Sequence, residues 1–306
     1  MAIATTIIPI FAIIALGWIA NVKGFLPAEF IGPANRLVYY WAIPAMIFRS
    51  IYQGSFKILF NPTVLAISLV CLSMVFFIAW LTGIFSRIKK IQLGSFIQSS
   101  FHGNLGYIGL AVSYYYLETD GFVKAGIMAG FIMILQNFLA VVILGIYSDD
   151  TSKKMNFKSV FQGIMANPVI IAAMAGIIVS LIEFNIPIVI DNSLKILSGM
   201  ALPLALILIG SSLSFELIRH QIFPVLFSCA LKLLLLPGAG LIMFIIFEEA
   251  PGDYLPCLIL LAAPTATLVY VMARETKNDT DFAVATISMS TLLSGFTFAF
   301  WILLAG

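Results

Sequence analysis

Residues Gln98–Tyr116 read QSSFHGNLGYIGLAVSYYY, which is long enough to cross a membrane but polar at its centre. One imidazole, two glycines, an amide and a phenol fall within six positions: His102, Gly103, Asn104, Gly106 and Tyr107. Glycine weakens a helix interior, and an asparagine side chain competes for backbone hydrogen bonds. The stretch therefore favours one of two structures: a helix that unwinds where protein or a watery cavity can satisfy its backbone, or a continuous span packed closely through its glycines.

The composition of the whole chain identifies the class of protein. The chain has 306 residues, of which 61% are hydrophobic and 10% charged, and its mean hydropathy is +1.09. Apolar runs of about 18 residues or more recur along its length, which is typical of an all-α polytopic membrane protein. We predict ten spans: Ile3–Ala20, Asn35–Ile51, Pro62–Phe85, Gln98–Tyr116, Gly121–Ile146, Gln162–Ile182, Ser193–Ser212, Ile222–Phe247, Tyr254–Met272 and Phe282–Leu304.

Several function classes are disfavoured by the same sequence. A net charge of +2 without a basic stripe argues against nucleic acid as a partner. The three cysteines lie in apolar runs without metal-ligand spacing, so no metal or cofactor is predicted. No hydrolase, metalloprotease or nucleotide-binding motif occurs, and we expect no enzyme activity. The first residues, MAIATTIIPIF, lack a basic region and predict a first span rather than a cleaved signal.

The two halves of the chain carry matching features at a constant offset. Pro9 and Pro168 are 159 positions apart, and so are Gly17 and Gly176 and the second-span and seventh-span prolines, Pro44 and Pro203. At an offset of 160, Asn104 falls on Pro264. The match predicts two five-span repeats, residues 1–147 and 159–306, joined by a cytoplasmic connection over residues 148–158.

Five spans are an odd number, so the second repeat must enter the membrane from the opposite face. Such inverted repeats are typical of secondary transporters, whose substrate sites lie near mid-membrane where corresponding helices are interrupted. The fourth and ninth spans are that pair here. Pro264 is expected to break the ninth helix, and the hydroxyls of Thr265 and Thr267 could cap the freed backbone groups.

The distribution of Lys and Arg predicts the orientation. One face carries eleven of them, at positions 23, 36, 87, 89, 90, 153, 154, 158, 219, 274 and 277, and the other face carries four, at positions 49, 57, 124 and 195. The positive-inside rule places the first face in the cytoplasm. We therefore expect a multi-pass protein of the cell membrane with both termini extracytoplasmic.

The motif Asn104-Leu105-Gly106-Tyr107-Ile108-Gly109, together with Pro264 in a ten-span chain of this length, resembles the auxin efflux carrier family. That family includes plant auxin exporters and bacterial permeases linked to malonate or malate. The resemblance implies inverted five-helix repeats with crossed, broken fourth and ninth helices, a scaffold part and a moving transport part, and an organic anion as substrate. The long cytoplasmic loop of many plant members is absent, so regulation through it is not expected.

The candidate site surrounds the predicted crossing. Helix N-termini and an amide favour carboxylates, so Asn104 is the first candidate ligand, the alternative being an asparagine that only caps the break. In the fifth span, one of Gln136 and Asn137 should face the bundle, and the resemblance favours Gln136. The predicted substrate-binding set is Asn104, Gly106, Tyr107, Gln136, Asn137, Pro264, Thr265 and Thr267.

Two other polar side chains are candidates for carrying a coupling proton. His102 titrates near physiological pH, although a neutral histidine bonded to a backbone carbonyl is the competing interpretation. Lys232 is an intramembrane cation, and such ions are functional hypotheses by default, but its long side chain could also reach the interface. Arg49, Lys57, Glu183 and Asp191 are expected to be solvated at outer span ends, and the Tyr114–Tyr116 and Tyr39–Trp41 runs to form interface belts.

Three functional alternatives remain open at this point. The leading one is a carrier of a small mono- or dicarboxylate, coupled to a proton or working without an ion. A sodium-coupled symporter of the bile-acid type is less favoured because no carboxylate lies beside the predicted crossing. The third is a non-transporting receptor or scaffold. The bilayer is a partner in every case, and a homodimer is left open.

Overall fold

The computed structural model describes residues 2–54, 56–117, 119–148, 166–218 and 221–306, and over these residues the chain is helical without a strand. The sole extended pairing among them is an isolated antiparallel bridge between Gly103 and Thr265. The prediction of an all-helical protein is therefore confirmed. Most of the predicted connection 148–158 and the start of the sixth span lie outside the described residues.

The first half contains three long helices and several shorter ones separated by breaks or π-turns. A π-turn, Val38–Ala42, joins the second helix to the third, and another, Leu105–Gly109, precedes the seventh. The helices are α1 (Ala2–Val22), α2 (Ala28–Leu37), α3 (Ile43–Gln53), α4 (Phe56–Leu59), α5 (Pro62–Phe85), α6 (Lys90–Phe101), α7 (Leu110–Tyr116) and α8 (Thr119–Tyr147).

The second half has the same mixture of long and interrupted helices. A 3₁₀ turn, Glu216–Ile218, follows the eleventh helix, and a π-turn, Leu231–Leu235, joins the twelfth to the thirteenth. The helices are α9 (Pro168–Leu181), α10 (Ile188–Gly199), α11 (Ala201–Ser211), α12 (Ile222–Ala230), α13 (Leu236–Ile246), α14 (Pro251–Ala262), α15 (Leu268–Glu275) and α16 (Thr280–Ala305).

Six helical runs of the described chain are long and apolar enough to cross a membrane. They are Ile3–Val22, Pro62–Phe85, Thr119–Tyr147, Ile188–Ser211, Ile222–Ile246 and Thr280–Ala305. They coincide with the predicted first, third, fifth, seventh, eighth and tenth spans. The predicted second and eighth spans each contain a π-turn, and the fourth and ninth are broken.

The predicted start of the fourth span is wrong by eight residues, because α6 begins at Lys90 rather than at Gln98. Because polar residues are frequent in α6, the hydrophobicity of the sequence did not indicate where this helix begins. Ser95, Gln98, Ser99 and Ser100 are all fully buried, so α6 lies inside the helix bundle, where neighbouring helices rather than lipid surround its hydroxyl and amide groups.

Helix starts in this chain follow ordinary capping chemistry. The Asn61 side chain accepts hydrogen bonds from the N–H groups of Thr63 and Val64, and Pro62 occupies the first helical position of α5. Asn167 and Pro168 repeat this arrangement at the start of α9. A side-chain acceptor satisfies an orphan N–H, and proline at this position loses no helical hydrogen bond.

Two closely packed helix pairs are related by the sequence offset. Helix α1 packs on α11, and α9 packs on α3. A Cβ at Gly17 would collide with the backbone carbonyl of Ile207, and one at Gly176 would lie 3.1 Å from the carbonyl oxygen of Phe48. Gly17 and Gly176 are 159 positions apart, and so are Phe48 and Ile207. Each half therefore inserts its glycine against the equivalent carbonyl of the other half.

Candidate functional site

The fourth span breaks where its polar centre predicts. Helix α6 ends at Phe101, and His102 is extended, with φ −79° and ψ 96°. Asn104 has φ −77° and ψ 67°, and the Leu105 N–H donates to the Gly103 carbonyl over 2.9 Å. These angles are those of an inverse γ-turn. The prediction of an unwound helix is confirmed, and the continuous glycine-packed span is excluded.

The ninth span breaks at Pro264, as predicted. Helix α14 ends at Ala262, and Ala263 is extended, with φ −59° and ψ 139°. A proline disfavours helical backbone at the residue before it and cannot donate to the preceding turn. The chain becomes helical again at Leu268, where α15 begins.

The two breaks cross and pair through their backbones. The Asn104 N–H donates to the Pro264 carbonyl over 2.7 Å, and the Ala266 N–H donates to the His102 carbonyl over 2.9 Å. This exchange forms the antiparallel bridge between Gly103 and Thr265. Each broken helix thus satisfies part of the backbone that the other leaves without helical partners, as buried backbone polar groups require.

Side chains from neighbouring helices satisfy much of the remaining backbone of the crossing. Gln136 on α8 accepts from the Gly103 N–H over 3.1 Å and donates to the Gly103 carbonyl over 3.2 Å. The Ser290 hydroxyl on α16 accepts from the Thr265 N–H over 3.1 Å, and the Thr265 hydroxyl donates to the Ser99 carbonyl over 2.9 Å. Sequence reasoning missed Ser290 and Ser99, although the hydroxyl-rich stretch 287–295 is a usable signal for the former.

Asn104 combines a capping role with a free donor. It is 6% exposed, and its Oδ1 accepts from the Tyr107 N–H over 3.2 Å. Its Nδ2 has no hydrogen-bond partner among the described residues. At the same crossing, the N–H group of Gly106 after the first break and those of Thr267 and Leu268 after the second also make no hydrogen bond to a described residue. The crossing therefore concentrates unpaired donors, which suits a carboxylate.

The other predicted ligands differ in their positions. The Tyr107 hydroxyl donates to Asn35 Oδ1 over 3.4 Å, which links the crossing to α2. A Cβ at Gly106 would lie 3.4 Å from the Met133 side chain. Asn137 is half-buried and takes no part in the hydrogen bonds of the crossing. Thr267 is half-buried and does not cap α15 with its side chain, contrary to the expectation from sequence.

Lys232 lies against the crossing and is fully buried. Its Nζ donates to the Leu261 carbonyl in the last turn of α14 over 2.7 Å, where the helix dipole favours a cation. A Cβ at Gly103 would lie 3.2 Å from both Cε and Nζ of Lys232. The interpretation in which this lysine reaches the membrane interface is therefore wrong, and Gly103 leaves the space that the lysine occupies.

His102 is buried beside the same crossing, with 1% of its surface exposed. Its Nδ1 is 3.3 Å from Nε2 of Gln98, one turn earlier on α6. The described partner of the imidazole is thus a side-chain amide rather than the backbone carbonyl that the competing interpretation assumed. Gln98 Nε2 also approaches the Met272 sulfur at 3.1 Å, so this amide joins the two broken spans.

Arg49 and Asp191 are paired rather than separately solvated, which corrects the expectation from sequence. Arg49 Nε and Nη2 donate to the two carboxylate oxygens of Asp191 over 2.9 and 3.2 Å. Tyr52 and Gln53 also donate to Asp191. The sequence does not bring these residues together because 142 positions separate Arg49 from Asp191. Lys57 and Glu183 are exposed, as expected.

A cavity of about 690 Å³ opens beside this pair, between α3, α7, α8, α10 and α11. Its lining includes Arg49, Lys195, Asp120, Ser198 and Tyr115. No residue of the two breaks lines it. Among the described residues, no three His, Cys, Asp or Glu side chains gather as metal ligands would.

The amino-acid sequence of the whole chain can be compared with those of known proteins. The model of a family described as "Membrane transport protein" matches residues 2–162 and 151–302. The chain belongs to this family, which is that of the auxin efflux carriers. The resemblance carried by the fourth-span motif and Pro264 is thereby confirmed, and so is the assignment to membrane transporters.

Three relatives illustrate how far the similarity extends. An "Uncharacterized transporter" of Methanothermobacter thermautotrophicus is 25% identical over 98% of this chain and 98% of its own length. A "Putative malonate transporter" of Rhizobium meliloti is 23% identical over 94% of this chain and 91% of its own. An "Uncharacterized transporter" of Escherichia coli is 24% identical over 97% and 95%, respectively. Each of these relatives is similar along nearly its whole length.

Proposed function

We propose that this membrane transporter is a secondary carrier of a small organic anion, a mono- or dicarboxylate such as malonate, malate or an auxin-like acid. The observation that carries the proposal is the buried Asn104 amide, whose Nδ2 lacks a partner among the described residues. A buried polar donor without a partner costs free energy unless something binds it. A carboxylate oxygen is a suitable acceptor, and the adjacent unpaired N–H groups favour negative charge.

The architecture proposed for this carrier is ten spans in two inverted repeats, residues 1–147 and 159–306. The exchanged glycine contacts support it, because Gly17 meets Ile207 and Gly176 meets Phe48 at the same sequence offset. A two-fold axis in the membrane plane would produce such reciprocity. The Lys and Arg bias supports placing both termini outside the cell membrane.

Alternating access in this proposal moves the crossed helices relative to α1, α3, α9 and α11. Those four helices pack closely in two pairs, whereas the crossing is bonded to α8 through Gln136 and to α16 through Ser290. The crossing, α8 and α16 are thus held to one another by hydrogen bonds. In this proposal, the crossing, α8 and α16 move with the substrate as one unit relative to the pairs α1–α11 and α3–α9.

Lys232 contributes a positive charge to the proposed site. It is buried beside Gly103 and donates to the Leu261 carbonyl, so in its protonated form it would balance the charge of a carboxylate bound at Asn104. Lys232 and His102 are the titratable side chains buried at this crossing. A proton is accordingly the coupling ion that the proposal favours, with these two residues as its candidate carriers.

The test is transport by the purified full-length protein in liposomes. Wild-type protein is expected to take up radiolabelled malonate or malate and to exchange it for internal unlabelled anion. Asn104→Ala removes the donor, and a hydrogen bond to a charged group contributes about 1.5–3 kcal/mol. Uptake at low substrate concentration should therefore fall about 10- to 100-fold. Unchanged uptake by Asn104→Ala would refute the assignment of the site.

A further inference from the structure

We propose that the cavity beside Arg49 is a second, shallower carboxylate site, through which the anion passes on its way to or from the crossing. The ligand class rests on the proposed function, but the cavity does not share a residue with the crossing. Its lining includes Arg49 and Lys195 as cations and Asp120 as a carboxylate.

The volume and depth of the cavity are sufficient for a small ligand to enter it. Its volume is about 690 Å³, within the range of ligand pockets. Its lining follows α3 from Gln53, at the helix end, to Met46, a distance of about 10 Å at helical rise. On α10 and α11 it extends from Lys195 to Pro203. The cavity therefore penetrates from the end of the bundle toward its middle.

Arg49 is held in a fixed orientation with part of its guanidinium unused. Its Nε and Nη2 are bonded to Asp191, which also accepts from Tyr52 and Gln53. Asp191 itself is not part of the cavity lining. Nη1 makes no described hydrogen bond and remains available to a ligand, and a guanidinium held in this way loses little freedom on binding an oxyanion.

Lys195 supplies the second cation. It lies about 10 Å from the start of α10 at helical rise, it lines the cavity, and no described carboxylate is within 4.0 Å of its Nζ. Lys195 is an exposed residue of this lining. Asp120 carries the opposite charge, so electrostatic attraction alone does not make the cavity bind anions strongly. Specific binding would require Arg49 and the Tyr115 hydroxyl as well.

The test measures the electrostatic potential in the cavity directly. Ser198→Cys places a thiol in the lining, and Ser193→Cys places one on the same helix outside it. Each variant is treated with two thiol reagents of similar size, an anionic sulfonatoethyl and a cationic trimethylammonium-ethyl methanethiosulfonate. The native cysteines are buried, and protein without an added cysteine measures their background reaction.

The expected result is a preference for the anionic reagent at Ser198→Cys, relative to a free thiol in solution, because Lys195 lies one turn away on the same face of α10. A unit charge about 8 Å away in water changes the anion-to-cation rate ratio about fivefold. Lys195→Gln should lower the ratio by up to about that factor at low ionic strength, and Asp120→Asn should raise it. A ratio equal to that of the free thiol, or one that does not respond to Lys195→Gln, would overturn the proposal.

Ligand protection separates this site from the crossing. Malonate, malate and acetate are used as probes, and at least one is expected to slow labelling at Ser198→Cys but not at Ser193→Cys. The protection should persist in Asn104→Ala, because Asn104 does not line the cavity. Protection that disappears with Asn104→Ala, or no protection by any of the three, would overturn the second site. Transport by Asn104→Ala tests the crossing independently.

Discussion

Gln136 holds Gly103 by both of its backbone polar groups, accepting from the N–H over 3.1 Å and donating to the C=O over 3.2 Å. The side-chain amide thus makes the two hydrogen bonds that a third strand would make beside the antiparallel bridge of Gly103 and Thr265. A break at membrane depth is stable when such partners exist. The crossing is therefore preorganised before a substrate arrives.

Removing this amide should destabilise the protein. Gln136→Leu leaves the Gly103 N–H without its partner and removes one of the two donors to the Gly103 C=O, which still accepts from the Leu105 N–H. A buried unsatisfied group costs about 1–3 kcal/mol. We expect a Tm several degrees lower in detergent, measured by intrinsic fluorescence. Asn137→Leu is the matched control, since Asn137 is half-buried and outside the crossing. Equal Tm values for the two variants would contradict the role of Gln136.

Pro264→Ala should impair transport more than folding. Alanine at this position restores a backbone donor and permits helix, which competes with the extended geometry that pairs Pro264 with Asn104. Uptake is expected to fall at least about tenfold, the effect of 1.4 kcal/mol, with little change in Tm. Pro256→Ala, at a proline inside α14, is the control and should transport normally. Wild-type uptake by Pro264→Ala would mean that the break is not needed.

Asn104→Asp tests the sign of the ligand charge. Aspartate is nearly the same size as asparagine but places a negative charge where a carboxylate is proposed to bind. At neutral pH it should bind substrate more weakly than Asn104→Ala, because repulsion is added to the lost hydrogen bond. Acidification should partly restore binding, since protonated aspartate donates again. Isothermal titration calorimetry at two pH values measures both effects, and wild-type affinity at neutral pH would exclude a carboxylate at this position.

Lys232→Met should separate stability from function. Methionine fills a similar volume without a buried charge, and replacing a buried ion by an apolar side chain is often tolerated. We expect Tm to change little, because the Leu261 carbonyl loses one partner while the cost of burying the ammonium disappears. Uptake should fall at least about tenfold. Lys57→Met, at an exposed lysine, is the control. Full uptake by Lys232→Met would assign Lys232 a structural role.

The orientation can be tested by labelling intact cells. The eleven-to-four bias of Lys and Arg places Lys153 in the cytoplasm and Gly306 outside. A membrane-impermeant thiol reagent should label Gly306→Cys and should miss Lys153→Cys until the membrane is permeabilised. The opposite pattern would reverse the topology.

Much of this protein could be predicted from local sequence. Long apolar runs determine membrane helices because the bilayer admits little else. The breaks at His102–Asn104 and Pro264 were also predictable, since proline and clustered glycines with an amide act on the backbone within one turn. The repeated prolines and glycines indicated which two breaks correspond.

Only the tertiary structure determines which polar side chains and backbone groups bond to one another. The Lys232 ammonium bonds the Leu261 carbonyl, Gln136 bonds Gly103, and Arg49 pairs with Asp191 across 142 positions. Local sequence does not encode these partners, because hydrogen bonds between distant helices depend on crossing positions and side-chain directions. The buried hydroxyls of α6 misled the prediction of its start for the same reason: a polar residue inside a helix bundle and one at the water interface look alike in sequence, and only the packed neighbours distinguish them.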